Sequence, residues 1–391
     1  MWRNAPSPAL PQPYCRMANM FFPSGSNPTP WKNRFQEFYR QHDNRLNIAF
    51  FLGGFLFDVL SLSTVDNLFS IAQQVAYLSL IGWFLCKDLL FDAKQWAPPC
   101  WLEKIWGYRV LLTHFMLGSL LSVYSLFFLK SASLASSLIF VLLILGILVA
   151  NELPQVQSAG LGLKVALYTL CVFSFFSMLW PTFLGFVGRV PFALSLVSAG
   201  LVMGGMARWV LKRVHDRRMV ARRILFPSAT FGVLIAIFYF LGWIPPVPLA
   251  MVHMGIYHRV EKQGDHYWLY HERPFWALWR KGDQEFEARA GDSVYFFAQV
   301  YSPARFSDEL TLHWFFHDRR LGWESSDRIP LRIVGGRKEG FRGYSFKKNY
   351  SPGDWRVKVE TTDGREIGRI HFHLHTSPQP PDPTRFKAEI H

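Results

Sequence analysis

Cysteine is scarce: 4 in 391 residues, at Cys15, Cys86, Cys100 and Cys171, with none after position 171. None is spaced as a CxxC pair, so neither a zinc ribbon nor a disulfide framework is encoded, and the C-terminal half suits either redox compartment. Charge is scarce too. Only 18% of residues are charged, against about 25% in ordinary soluble domains. Catalytic signatures are missing as well. The chain has no HExxH, no GxSxG, no GxxxxGK[ST] phosphate loop and no Rossmann glycine triplet, so nothing encodes a recognisable enzyme. No internal repeat of the kind that marks many transporters is visible.

What the chain does have is apolar bulk. Half of it is hydrophobic and 17% is aromatic. A membrane-crossing helix needs about 20 apolar residues, and seven runs approach that length: 46–62, 68–86, 110–129, 131–150, 161–180, 190–207 and 225–244. The run 131–150 carries no charge. The run 46–62 is short and holds Asp58 near its end, and 190–207 is short and glycine-rich, with Gly200 and Gly204 spaced for close helix contact. Among the ionisable groups of this half, Asp58, His114, Glu152 and Lys164 form no recognisable relay. Asp58 and His114 are the intramembrane polar candidates, and a structural or interfacial place suits all four.

The basic residues alternate from loop to loop. Residues 87–109 carry Lys87, Lys94, Lys104 and Arg109, and residues 208–223 carry seven bases, whereas 63–67 has none and the turn at Lys130 has one. Bases are retained on the cytoplasmic side. The N-terminus is therefore expected inside, and seven spans put everything after Ile244 outside. Net charge is +14; up to Ile244 there are 20 Lys/Arg against 9 Asp/Glu, and beyond it 22 against 19. This is the charge distribution of a membrane protein and not of a nucleic-acid binder. Residues 1–45 read as a basic tail, disordered at its Pro/Ser/Asn-rich start.

After the prolines at 245–248 the pattern shortens. Residues 245–280 hold an aromatic stretch, Tyr267, Trp268, Tyr270, Phe275, Trp276 and Trp279, which fits either a collar on the lipid surface or part of a domain core. Alternating, β-branched and aromatic runs then follow at 293–301, 310–317, 329–334, 341–346, 355–361 and 370–375, with Asp363-Gly364 as a hairpin signal. Such spacing points to an all-β sandwich over 281–376, and 377–391 reads as a disordered tail.

The stretch Gly282-Asp283, Leu312-His313-Trp314, Gly343-Tyr344-Ser345, Ser351-Pro352-Gly353-Asp354-Trp355-Arg356-Val357 and Asp363-Gly364, closed by a strand with Phe372, resembles a bacterial C-terminal β-domain family of unknown function. The membrane half resembles the multi-pass segment found with it. The resemblance covers about a quarter of the chain. It implies the sandwich and an inner-membrane location, and it carries over no catalytic residue and no ligand.

Two clusters are candidate sites. Ten of the 13 histidines follow Ile244, and His371, His373 and His375 alternate along one strand. Period two puts the three imidazoles on one face, about 6.5–7 Å between neighbours. That suits a zinc or copper site, and equally the solvent face of a half-buried strand. Arg332, Arg337, Arg342, Lys347 and Lys348 form, with Lys338, a basic group suited to anionic lipid or acidic envelope polysaccharide, or simply to a protected sheet edge. Trp314, Trp323 and Trp355 read as core rather than sugar platforms. The sequence thus indicates a helical membrane domain of about seven spans followed by an all-β Ig-like sandwich. The expected role is a periplasmic ligand- or partner-binding module on an inner-membrane anchor; the alternative is a transporter or membrane enzyme capped by the sandwich. The bilayer is the expected first partner, with an envelope polysaccharide, anionic lipid or protein as the second, and no nucleic acid.

Overall fold

The computed structural model describes residues 68–151, 153–157, 160–273, 280–289, 291–303, 306–334, 340–377 and 386–391. The expected span 46–62, Asp58 and Arg337 lie outside them.

Helices fill the first part: α1 (Leu68–Asp92), α2 (Glu103–Gly107), α3 (Arg109–Ser131), α4 (Leu134–Asn151), α5 (Pro154–Gln157), α6 (Leu161–Leu184), α7 (Arg189–Val214), α8 (Arg217–Val220) and, after a π-turn, α9 (Phe226–Phe240). Among the described residues, five helical stretches are long and apolar enough to cross a membrane: α1, residues Leu112–Ser131 of α3, α6, α7 and the run Arg217–Phe240. Of the seven expected, 46–62 lies outside those residues and 131–150 gives a shorter apolar helix. The run 131–150 is helical, but its apolar part, Ser136–Asn151, is only about 24 Å long at 1.5 Å per residue, short of a bilayer core of about 30 Å. Its serine-rich start forms a corner instead. Ala132 is extended, with ψ 130°, and the Ser133 carbonyl accepts the N–H groups of Ser136 and Ser137.

The bundle is built around α3 and α6, where 72% of each apolar window is buried, against 22% for α1 and 17% for Arg217–Phe240. Leu117, Leu121, Tyr124 and Phe128 of α3 meet Val165, Tyr168, Cys171 and Phe173 of α6, with Ile81, Leu85 and Leu89 of α1 packed against them. The outer helices turn Leu80, Leu142, Val197, Leu201, Phe226, Val233 and Phe240 outward. A water-facing bundle would not expose such a belt, and a lipid-facing one requires it. A Cβ added at Gly200 or Gly204 would meet no atom of another element within 4 Å, so neither glycine is needed for a close helix contact within the chain. At the base-rich end, Arg109 pairs with Asp88 at 2.6 Å and Arg223 with Asp92.

Strands begin earlier than expected. The stretch expected as a connector holds β1 (Ala250–Tyr257), β2 (Arg259–Gln263) and β3 (His266–His271). They are followed by β4 (Glu285–Ala288), β5 (Val294–Tyr301), β6 (Ser307–Asp318), β7 (Gly322–Val334), β8 (Phe341–Lys347), β9 (Gly353–Thr361), β10 (Glu366–Thr376) and β11 (Lys387–Ile390). The expected tail thus contributes a strand, because β11 finds a free edge on β3. Three sheets result, ordered β1-β5-β8, β4-β10-β9-β6-β7 and β11-β3-β2. The first two enclose one core: Ile256, Phe296 and Ala298 from one, and Leu312, Trp314, Val357, Val359, Phe372 and Leu374 from the other. Pro330 is tolerated in β7 because β7 is an edge strand. A small aromatic core of Tyr257, Tyr267, Leu269 and Phe297 attaches the third sheet. In the aromatic stretch, Tyr267 belongs to that core; Phe275, Trp276 and Trp279 lie outside the described residues.

The β region sits on the base-poor end of the bundle. Ser307 N–H donates to Gly185 O at 2.8 Å, Val187 N–H to the Asp308 carboxylate at 3.1 Å, and Ser133 Oγ to Glu366. Arg365 makes the main tie. Its guanidinium lies 3.4 Å from the Tyr239 ring centre and donates to Ile244 O at 2.8 Å and Tyr239 O at 3.2 Å. It also pairs with Asp363 at 3.0 Å. A buried side chain of the β9–β10 hairpin thereby reaches Tyr239 O in the last turn of α9, which also accepts the Gly242 N–H at 3.0 Å, and Ile244 O just beyond the helix.

Candidate functional site

The outer face of the five-stranded sheet carries an open cleft of about 320 Å³ lined by Arg280, Gln284, Glu285, Trp323, Asp354, Trp355, His371, Phe372 and His373. Strand alternation makes it: in β10, Phe372 and Leu374 point into the core while His371, His373 and His375 point out. β9 supplies Asp354 and Arg356 opposite them, in register with His373 and His371. Trp323, near the start of β7, closes one end, and Gln284, beside β4, lies towards the other. There Gln284 O accepts the His373 N–H at 2.7 Å and Gln284 Nε2 donates to His371 O at 3.2 Å.

The three histidines share a face but not a centre. His371 stands edge-on to Trp323 with ring centres 5.6 Å apart. His373 Nδ1 is 2.6 Å from Asp354 Oδ1, and His375 Nε2 is 3.5 Å from Glu285 Oε2. The His373 and His375 ring centres are 4.4 Å apart, but each of these rings faces its own carboxylate and His371 stands off against Trp323, so the three do not gather into one ligand set. Burial lowers the His371 pKa, helped by the Arg356 and Arg369 cations. Trp323 separates from its two companions. Trp314 and Trp355 are buried in the core, whereas Trp323 is half-buried, with the Arg356 guanidinium 3.8 Å from its ring centre and His317 at 4.9 Å. The cleft offers one aromatic platform ringed by cations, imidazoles and carboxylates.

The basic group is dispersed. Arg342 donates to Asp265 O at 2.6 Å, and Lys347 pairs with Asp327 while lying 5.3 Å from the Trp355 ring centre. Lys348 lies over Phe346, and Arg332 faces Glu309 across β6–β7. In the bundle, His114 is buried with Nδ1 at 3.1 Å from Asn151 Oδ1, and Asn151 Nδ2 returns a bond to His114 O at 3.3 Å. This reciprocal pair cross-links α3 to α4.

A second titratable centre lies inside the β region, and nothing in the sequence pattern pointed to it. Its residues come from four separate segments, so only the folded chain brings them together. His258 is buried and stacked on Phe286, with ring centres 4.1 Å apart. Three carboxylates approach its nitrogens: Asp292 at 3.6 Å, Asp283 at 3.7 Å and Glu272 at 3.9 Å. None is close enough for a hydrogen bond, and neither ring nitrogen has a hydrogen-bond partner among the described residues. Arg289 balances the acids, pairing with Glu272 at 2.9 Å. Asp283 accepts the Glu272 N–H on both oxygens, at 3.1 and 2.9 Å, yet burial pushes its pKa up to about 7. Burial pushes His258 the other way, down to about 3. Gly282 makes the approach possible. At φ +68°, with an added Cβ 2.1 Å from Ile256 O, only glycine fits.

None of the curated proteins matches the chain. Among solved structures, a β-glucosidase from Listeria innocua in complex with glucose is 12% identical, over 24% of this chain and 15% of that one, with a TM-score of 0.19. An immunoglobulin-like protein from Pseudomonas aeruginosa is 14% identical, over 32% and 98%, with a TM-score of 0.19. An alkylpurine DNA glycosylase from Pseudomonas fluorescens, bound to DNA containing an abasic site analog, is 11% identical over 78% and 98%, with a TM-score of 0.20. This chain spans only 15% of the β-glucosidase's length. Residues 307–374, from the start of β6 to near the end of β10, match the model of a family described as a protein of unknown function, DUF2914.

Proposed function

We propose that the chain is a multi-pass bacterial inner-membrane protein whose β region is an Ig-like sandwich facing the periplasm, where it binds an envelope polysaccharide in the cleft beside Trp323. The cleft carries this reading. It is open and polar, and it sets one accessible indole among hydrogen-bonding groups of both kinds: His371 and His373, the carboxylates of Asp354 and Glu285, and the cation Arg280. An aromatic platform with convergent polar groups suits a hydroxylated ring better than it suits lipid tails or a flat protein face. Orientation is supported by the bundle. The β region rests on the end whose turns carry one base each, Lys130 and Arg189, against four in residues 87–109 and seven in residues 208–223, and the Arg109 and Arg223 ion pairs mark that opposite, base-rich end.

Two measurements test this. Alkaline phosphatase fused after His391 should be active, and a fluorescent protein at the same site dark; the converse would put the β region in the cytoplasm and end the envelope reading. Titrating detergent-solubilised protein with soluble peptidoglycan fragments should quench tryptophan fluorescence, and W323A should weaken binding by about fivefold, since stacking on an aromatic ring contributes about 1 kcal/mol. Equal binding by wild type and W323A would remove the cleft from consideration.

A further inference from the structure

A different group of side chains, away from the cleft, converges as the β10 histidines do not. His253 of β1, Glu389 of β11 and His391 just beyond it each offer one ligand atom, and those atoms all lie within 4.8 Å of one another. We propose that these three residues bind a divalent transition metal, zinc by preference, and that the metal fastens the segment 386–391 to the sheets. Local structure dictates the convergence. Glu389 and His391 are two apart in extended chain, so they share a face. The pairing of β11 with β3 is prolonged by reciprocal bonds between His391 and Tyr267, at 2.8 and 3.0 Å, and this brings His391 over β1. The two imidazole centres are 4.1 Å apart, and His391 Nε2 is 3.1 Å from Glu389 Oε1.

The surroundings suit a metal. All three ligands are half-buried, which limits competition from water. Two imidazoles and one carboxylate are a donor set characteristic of zinc with a fourth position open. Each side chain is already held. The Tyr257 hydroxyl is 2.7 Å from His253 Nε2 and orients that ring. His271 Nε2 is 4.0 Å from the second Glu389 oxygen and can steady the carboxylate, as such outer partners do in metal sites. Phe297 packs against both imidazoles, with ring centres 6.2 Å from His253 and 5.9 Å from His391. The metal would link residues 136 positions apart in sequence. It would also reinforce a strand of only four residues, Lys387–Ile390, whose few ladder bonds alone make it an easy element to detach.

The test uses the full chain in detergent, stripped with chelator and titrated calorimetrically with zinc chloride. One tight site per chain is expected, weakened by about tenfold or more in H253Q and H391Q and unchanged in H371Q/H373Q. X-ray absorption on the zinc-loaded wild type should show a nearest shell of two imidazoles and one carboxylate, and that readout does not depend on how any variant folds. The proposal falls if wild type has no stoichiometric site, if the H253Q/H391Q double variant binds as tightly as wild type, or if the shell contains sulfur or a third imidazole. In that event the cluster is a hydrogen-bonded group and nothing more.

Discussion

The buried pair Asp283 and His258 gives the sharpest prediction, because its two members oppose each other. Asp283 has an ordinary pKa of 3.8 and one of about 7 in the fold, raised by burial. A raised carboxylate contributes stability that is fully present below 3.8 and is lost as pH rises through 7. At about 1.4 kcal/mol per unit, the loss is on the order of 4 kcal/mol. His258 runs the other way. Its pKa falls from 6.5 to about 3, so its contribution is present above 6.5 and is lost as pH falls towards 3. Between about pH 4 and 6.5 the slopes cancel, and wild-type stability should look flat there. D283N removes one slope while keeping the neutral shape. The full chain in detergent, melted at half-unit steps from pH 4 to 7 and followed by circular dichroism, should then show the variant gaining on wild type. The gain should be on the order of 10 °C over the window. A difference that stays constant across the window would refute the assignment. It would mean that Asp283 is charged in the fold and that the proton sits on His258, 3.7 Å away.

Two further substitutions test the architecture. R365A should destabilise the protein by about 3–5 kcal/mol, because it leaves the half-buried Asp363 carboxylate, Tyr239 O and Ile244 O without their cation; a melting temperature within 2 °C of wild type, taking about 2–4 °C per kcal/mol, would show that the junction contributes little. G282A should cost about 3 kcal/mol or more through its collision with the Ile256 backbone, whereas G264A, also at positive φ but with open space around it, should cost only about 1–2 kcal/mol. Equal losses in urea titrations of the two variants would dismiss the close approach.

The sequence made the apolar helices and the later strands legible because both depend on local periodicity. The core faces of β9 and β10 could be read from Val357, Val359 and Phe372 alone. The first strands were hidden for a physical reason. β1, AMVHMGIY, follows the last apolar helix directly, and its burial does not alternate, since its last three residues are all buried; short β2 and β3 are strands only because they pair with each other and β3 with β11. The fourth expected run is a helix over Leu134–Asn151; its expected start falls a few residues early because hydropathy cannot tell a serine that continues a helix from one at a corner, such as Ser133, which reaches Glu366. Histidines on one strand face were visible as a pattern. Whether they gather or disperse depends on cross-strand neighbours such as Asp354 and Glu285, which no spacing reveals. Both convergent groups, around His258 and around His253, draw their members from distant segments, and for that reason neither left a motif.

The junction at Arg365 bears on how binding at the cleft would be felt in the bundle. β10 runs from Glu366, tied to Ser133 at the α3–α4 corner, up to His371 and His373 in the cleft. The hairpin before it holds Asp363 and Arg365 against Tyr239 and Ile244 at the end of α9. Tyr239 in turn stacks on Phe192 of α7, with ring centres 3.5 Å apart. A small cavity of about 40 Å³ lies among Phe192, Tyr239, Pro246 and Arg365. Packed interiors resist compression, so that void is the place where the hairpin can shift without overpacking its neighbours. A ligand that displaces β10 relative to β9 would act on Arg365 first and reach α7 and α9 through Tyr239. Among the described residues the Arg365 tie is thus one of four routes into the bundle, beside Ser133–Glu366, Val187–Asp308 and Gly185–Ser307. R365K keeps the charge but gives up the fork that holds Asp363, Tyr239 O and Ile244 O together. In tryptophan-quenching titrations it should leave binding at Trp323 unchanged, while the melting temperature falls with the loss of the fork; weakened binding would place Arg365 in the support of the cleft instead.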